Sequence, residues 1–230
     1  FLKCATQQTL FGQYEIVLVL NEPDTNELQI VQQYIHRYPE FIQCINVYTT
    51  ETLFPPIVRG AWAKETIAQS MNRAVRNAQG KYVAIWNVDD LRTPNSLKHQ
   101  AEILDENVNI DLVYSDFISV TNYGDTQGIL IQALDFNRSE FLRSCVGGFQ
   151  MFRKSICERA GMFDEQFRSG ADFDLWIRIA ANGNMLRSSL PAGYFLDRGP
   201  GSSASHNSIQ PIERTVIELR YGIYDKVDER

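Results

Sequence analysis

The sequence predicts an α/β fold in which a mostly parallel sheet is flanked by helices. Two nearly unbroken apolar runs, at 14–20 and 81–86, each end in an acidic polar cluster, Asn21-Glu22-Pro23-Asp24 and Asn87-Val88-Asp89-Asp90. A strand covered on both faces reads this way. Segments with helical apolar spacing lie between and after the runs, and alternation of this kind implies right-handed parallel crossovers.

Residues 1–9 read as the end of a helix. The strand at 14–20 follows, then a helix over 27–38 with Leu28, Val31 and Ile35 in phase, stopped by Pro39. A short strand is expected at 44–48. A helix over 63–78 places Ile67, Met71, Ala74 and Val75 on one face, and Gly80 is expected to end it as a left-handed cap. The strand at 81–86 precedes a helix that Pro94 opens and that runs through Leu104, and a fourth strand spans 112–115. The second half is less regular. A short helix is expected at 135–143, a strand at 147–152, a helix at 154–160 closed by Gly161, a helix at 172–182 and a terminal helix at 212–224. No internal repeat or low-complexity segment interrupts the chain.

The 230 residues suit one α/β domain rather than two. Hydrophobic residues make up 44% and charged residues 22%, as in ordinary globular chains. The net charge of −6 argues against a nucleic-acid partner, which would need a basic face. No run reaches the roughly 18 apolar residues of a membrane helix. No signal peptide is recognised, and Phe1 suggests a piece excised from a longer protein. Cys4, Cys44, Cys145 and Cys157 form no C-x-x-C pair and are expected to be reduced, mostly buried thiols of a cytoplasmic chain. Three histidines, His36, His99 and His206, do not suggest a zinc site.

Ligands of such sheets sit beyond the C-terminal strand ends, where the loops at Glu22 and Asp89 fall. Asp89 and Asp90 are the sharpest feature. Adjacent acids after a buried strand call for positive charge, and hard cations such as Mg²⁺ or Mn²⁺ take carboxylates and substrate phosphates. The local residues equally allow a pair that caps the helix near Pro94. Asp172 and Asp174 at the start of a later helix allow a cap plus a reactive group, or a cap plus a surface acid. Two positions apart on a helix, they point about 200° apart, so both cannot face one ligand.

From about residue 15 to 205, the order of segments resembles the family 2 glycosyltransferases. The resemblance rests on Met71-Asn72-Arg73-Ala74-Val75-Arg76-Asn77-Ala78-Gln79-Gly80-Lys81-Tyr82-Val83, on Asn87-Val88-Asp89-Asp90 with Pro94 and Leu97, and on Val113-Tyr114-Ser115-Asp116. It extends to Gly161-Met162-Phe163-Asp164-Glu165 and Gly170-Ala171-Asp172-Phe173-Asp174-Leu175-Trp176-Ile177-Arg178. It implies the GT-A fold and inverting sugar transfer from a nucleotide-diphosphate sugar to a saccharide or lipid-linked acceptor, with roles in polysaccharide biosynthesis. Residues 1–116 would bind the nucleotide sugar and 117–230 the acceptor. Asp90 would be the direct ligand of Mn²⁺ or Mg²⁺, with Asp89 reaching the metal or the ribose. Asp172 would be the general base. Asn21 and Glu22 would meet the nucleotide's base and ribose, Lys64 the base or diphosphate, and His206 the metal or phosphate late in the chain. Residues 148–151 would edge the sugar pocket. The chain departs from the pattern in three places: the family's first strand is expected to be missing, Asn87 replaces the leading acid of the metal loop, and Ala171 replaces the Glu before the base. These departures leave open a relative that binds sugar nucleotides or polysaccharide without turnover. A nucleotidyltransferase or, more remotely, a glycosidase are further alternatives. The parent protein would place the domain in the cytoplasm or at a membrane surface; the oligomeric state is not readable.

Overall fold

The computed structural model describes residues 1–47, 65–140, 149–199 and 209–222. The first strand, β1 (Ile16–Asn21), pairs in parallel with β2 (Ile42–Val47), from Ile16 opposite Ile42 to Asn21 opposite Val47. The short helix α1 (Leu2–Ala5) and the longer α2 (Thr25–Arg37) pack with this pair. Helix α2 begins earlier than its apolar spacing suggests. Asp24 caps it, accepting from Glu27 N at 2.8 Å while the Glu27 carboxylate accepts from Asp24 N at 2.9 Å.

Helix α3 (Ile67–Asn77) starts from a second reciprocal cap, Thr66 with Gln69. Its end differs from expectation. Ala78 is extended, and Gly80 is not in the left-handed region. The Glu15 carboxylate instead accepts the backbone N–H groups of Gln79 and Gly80, which takes the chain straight into β3 (Tyr82–Val83). That strand is only two residues long, far shorter than the apolar run. The chain then turns at Asn87–Asp90 into β4 (Leu91–Arg92) before α4 (Ser96–Glu106).

Three small sheets carry the rest. One has the order β3, β8 (Gln150–Arg153), β5 (Leu112–Ser115), β9 (Met185–Ser188). Another has the order β4, β10 (Gly193–Leu196), β6 (Phe117–Val120), β7 (Ile129–Ile131). The pair β1–β2 completes the set. Pairings β1–β2, β5–β9 and β6–β10 are parallel, and the other four pairings are antiparallel. The α/β class holds, with parallel pairing only partial, because β8 runs back between β3 and β5.

Helix α5 (Lys154–Arg159) ends at Gly161 as expected, with φ +89° there and +67° at Met162. Helix α6 spans Ala171–Asn182 and α7 spans Gln210–Arg220. The helix expected at 135–143 is only a 3-10 turn, Arg138–Glu140, within the described residues. The main core joins β5, β8 and α6 through Tyr114, Phe152, Leu175, Trp176 and Ile179, all fully buried or nearly so. Cys4 and Cys44 are half-buried, Cys157 is buried, and all three are free thiols; Cys145 lies outside the described residues. Among the described residues no helix is long and apolar enough to cross a membrane.

Candidate active site

The Asn87–Asp90 turn is built by its neighbours in the second sheet. Strand β4 follows it at once and pairs with β10, whose last residue, Leu196, contacts the turn. The Asp90 side chain is 3% exposed, and its Oδ1 accepts from Leu196 N at 3.1 Å. Burial pushes the Asp90 carboxyl up to about 6, and the charge of Asp89 adds to this. The Leu196 N–H, the Asn87 side chain and the charge of Arg92 pull the other way. Asn87, where the family pattern has an acid, thus donates to Asp90. Asp89 is half-exposed and pairs with Arg198 at 3.0 Å, just beyond β10.

Behind the turn lies a buried polar layer. Arg92 donates to Gln100 Oε1 at 2.9 Å and to Gln150 O at 3.2 Å, and its ring neighbours are Trp86 and Phe149. Burial lowers the Arg92 guanidinium to about 10, while the charge of Asp90 acts to hold it up. Trp86 Nε1 donates to Asp90 O at 3.0 Å. The acids therefore do not cap α4. Its N-cap is Asn95, without a side-chain cap bond, and β4 stands between.

At the end of β1, Asn21 donates to Glu65 O at 2.5 Å, just ahead of α3. Asn21 Oδ1 and Glu65 Oε2 are buried acceptors without a hydrogen-bond partner among the described residues. Glu65 Oε1 is paired with Arg73 at 2.9 Å. Glu22, with φ +56°, is exposed beside Asn21. Lys64 and His206 lie outside the described residues, as do residues 147–148.

Asp172 is not the N-cap of α6. Gly170 takes that position, and Asp172 is in the first helical turn. Its side chain is open to solvent yet surrounded by protein mass. That burial raises its carboxyl above the usual range against the pull of its own and Phe173's N–H groups. Asp174 is no surface acid. It is fully buried, held by Arg178 at 2.5 Å, Arg220 at 3.2 Å and the Tyr221 hydroxyl at 2.8 Å. The structure gathers Asp89, Asp90, Arg198 and Leu196 in one place and Asn21 with Glu65 in another; no described contact joins either group to Asp172. Phe149, Gln150 and Met151, expected to edge the sugar pocket, have buried side chains.

Arg198 and Glu65 carry no motif of their own. An arginine eight residues ahead of His206 gives no signal without the pairing that β4 and β10 create, and Glu65 is one acid among 28 until its orphaned oxygen is seen.

The chain matches the family profile "Glycosyl transferase family 2" over residues 1–161. This reaches the acidic turn and stops before α6. An uncharacterized glycosyltransferase of Methanocaldococcus jannaschii is 26% identical over 178 residues, 74% of this chain and 55% of that protein. One from Rickettsia prowazekii is 28% identical over 119 residues, 48% of this chain and 37% of that protein. The chain thus spans about half or less of the length of these curated relatives. Among solved structures, S. aureus TarS 1–349 in complex with UDP-GlcNAc is similar at TM-score 0.70 and 19% identity, covering 95% of this chain and 61% of that one. The mannosyltransferase PcManGT from Pyrobaculum calidifontis, in complex with GDP-Man and Mn2+, is similar at TM-score 0.60 and 16% identity, covering 97% and 59%. Both likenesses concern the fold.

Proposed function

This chain belongs to glycosyl transferase family 2, and from that premise we propose that it carries out inverting sugar transfer from a nucleotide-diphosphate sugar to an acceptor hydroxyl, with Asp172 as the base. The observation that carries the reading is the buried Asp90 carboxyl in the turn after β3. Burial raises its pKa, and Arg92, which donates to Gln100 and Gln150, forms no ion pair with it. A buried carboxyl so placed suits a cation. Two carboxylates without thiolates fit hard Mn²⁺ or Mg²⁺, which commonly complete their shell with substrate phosphates and water. Among the described residues no cluster of three or more His, Cys, Asp and Glu offers a fuller cage. The ion, held by Asp90 and Asp89, would supply charge stabilisation for the departing diphosphate.

The chain's own residues divide the remaining work. Asn21 Oδ1 and Glu65 Oε2 are acceptors in want of donors, as a nucleobase N–H or a ribose hydroxyl would provide. Glu22 stands beside them. Lys64 would approach the base or diphosphate, and His206 the metal or a phosphate; both lie outside the described residues. Asp172 takes the acceptor's proton as the new C–O bond forms at the anomeric carbon, and the old C–O bond leaves its electron pair on the diphosphate. Single displacement inverts the centre. A carboxyl that burial raises above its usual range is better suited to accept a proton than an ordinary one. Residues 1–116 supply the donor side, and 117–230 the acceptor side.

Thermal shift with UDP-GlcNAc and GDP-mannose, with and without Mn²⁺, tests the donor reading. Metal-dependent stabilisation in the wild type and its loss in Asp90→Asn are expected. Equal stabilisation in both proteins overturns the metal assignment. The anomeric proton of the product, read by NMR, must show inversion; retention rules out single displacement.

A further inference from the structure

Helix α7 lies against the head of α6, and one acidic side chain makes the junction. Glu213, in the first turn of α7, is 7% exposed. Its Oε1 accepts from Arg168 N at 2.8 Å, and its Oε2 accepts from Ser169 N and Gly170 N, each at 2.8 Å. Three consecutive backbone donors thus converge on one buried carboxylate, and Gly170 is the N-cap of α6. The fit is close: a Cβ at Gly170 would lie 2.9 Å from Ile217 Cδ1 and 3.4 Å from Glu213 Cβ. Farther along, Arg220 and Tyr221 grip Asp174, so α7 holds the first turn of α6 from both ends.

Asp172 lies inside that turn. The contacts of its carboxylate are backbone N–H groups of the turn itself, with Phe173 N at 2.7 Å. Its aim is therefore set by where the turn lies, and the backbone leading into the turn is fixed by Glu213. Packing alone would not call for a charge here. A buried carboxylate is costly unless its oxygens are filled, and these are filled by the three N–H groups that open α6.

Resting on the reading of Asp172 as the base, we propose that Glu213 is a positioning residue: its carboxylate fixes residues 168–170 so that Asp172 is presented to the acceptor. Glu213→Gln keeps the shape but turns an amide N–H₂ toward backbone donors. Ile217→Ala loosens the same helix junction without touching the carboxylate and is the control for a role in packing only.

In Glu213→Gln, amide exchange at 168–170 is expected to rise about tenfold, and the ¹³C titration of the Asp172 carboxyl is expected to move. Neither measurement needs a substrate. With UDP-GlcNAc or GDP-mannose as the probe donor, nucleoside diphosphate release is expected to fall about tenfold to a hundredfold at unchanged donor KM. Ile217→Ala is expected to lose stability but to keep its rate within about twofold. Adding Glu213→Gln to Asp172→Asn is expected to cost nothing further, since both act through one carboxylate. An unmoved Asp172 titration, or equal rate losses in Glu213→Gln and Ile217→Ala, overturns the proposal while the base assignment stands. Full rate in Asp172→Asn overturns both.

Discussion

Asp172 and Asp174 sit two positions apart on α6 and meet opposite surroundings. Asp172 is open to solvent, whereas Asp174 is fully buried under Arg178, Arg220 and Tyr221. The helix period foretold that they diverge. The i,i+4 spacing of Asp174 and Arg178 is also present in the sequence, and the structure realises it as an ion pair at 2.5 Å. Asp174→Asn removes the acid and strands Arg178 beside a neutral group. It is expected to cost about 3 kcal/mol in urea unfolding, in the range for breaking a buried pair, and to leave nucleotide binding unchanged. Asp116 shows the same logic under titration. Hydrogen bonds from Arg187 at 2.7 and 2.8 Å hold its carboxyl below the usual range, opposed by burial and helped by Ala133 N–H. A lowered native pKa stabilises fully above the unfolded value of about 3.9 and is lost as pH falls through the native value. The stability of the wild type should therefore drop more steeply below about pH 4 than that of Asp116→Asn, which has already lost the pair. Chemical denaturation at several pH values checks this, and parallel curves would contradict it. Asp89 and Asp90 were legible because adjacency and a preceding apolar run mark them. Glu65, Arg198 and Glu213 were not, because each acts through contacts that only the folded chain makes.

At the scale of elements, the helices and the strands of the first half were mostly legible, and the short strands of the second half mostly were not. Strand β1 and helices α2, α3, α4 and α6 follow from apolar runs or helical spacing. Strands β6, β9 and β10 were not read, although β5, also four residues long, was. The run at 81–86 promised a long strand, yet only Tyr82 and Val83 pair. Beyond them the chain leaves the ladder for the acidic turn, and Ile85 and Trp86, half-buried, pack against neighbouring clusters without strand partners. Gly80 looked like a helix cap because glycine often is one; Glu15 took the two N–H groups instead. Gly193 carries an element-scale prediction. A Cβ there would overlap the Phe149 ring and the Leu91 carbonyl, so β10 could not lie against β4. Gly193→Ala is expected to cost about 1–3 kcal/mol, as overpacking does, and to weaken Mn²⁺-dependent nucleotide binding, because Leu196 and Arg198 follow on the same strand path. Retained binding at full stability would show that β10 does not shape the turn.

At the scale of the whole molecule, donor and acceptor roles are proposed for the two sides of residue 116, yet the sheets do not divide there. Strand β3 pairs with β8, β5 lies between β8 and β9, and β4 pairs with β10. Each sheet except β1–β2 draws strands from both sides. This interleaving means that residues 1–116 alone would expose the edges of β5 and the side chains of Leu112, Val113 and Tyr114, all fully buried in the intact chain. Unpaired edges with apolar faces associate rather than fold. The fragment is therefore expected to lack a cooperative urea transition and to elute as an aggregate, although β1, β2, α1 and α2 share a small apolar cluster of their own. The intact chain should unfold in one step, with tryptophan fluorescence and far-UV circular dichroism coinciding. Trp86 reports on the clusters beside β1 and α4, and Trp176 on the core between β8 and α6. A fragment that unfolds cooperatively, or two separated transitions in the intact chain, would mean that the nucleotide side is an independent folding unit and that the shared sheets are only an interface.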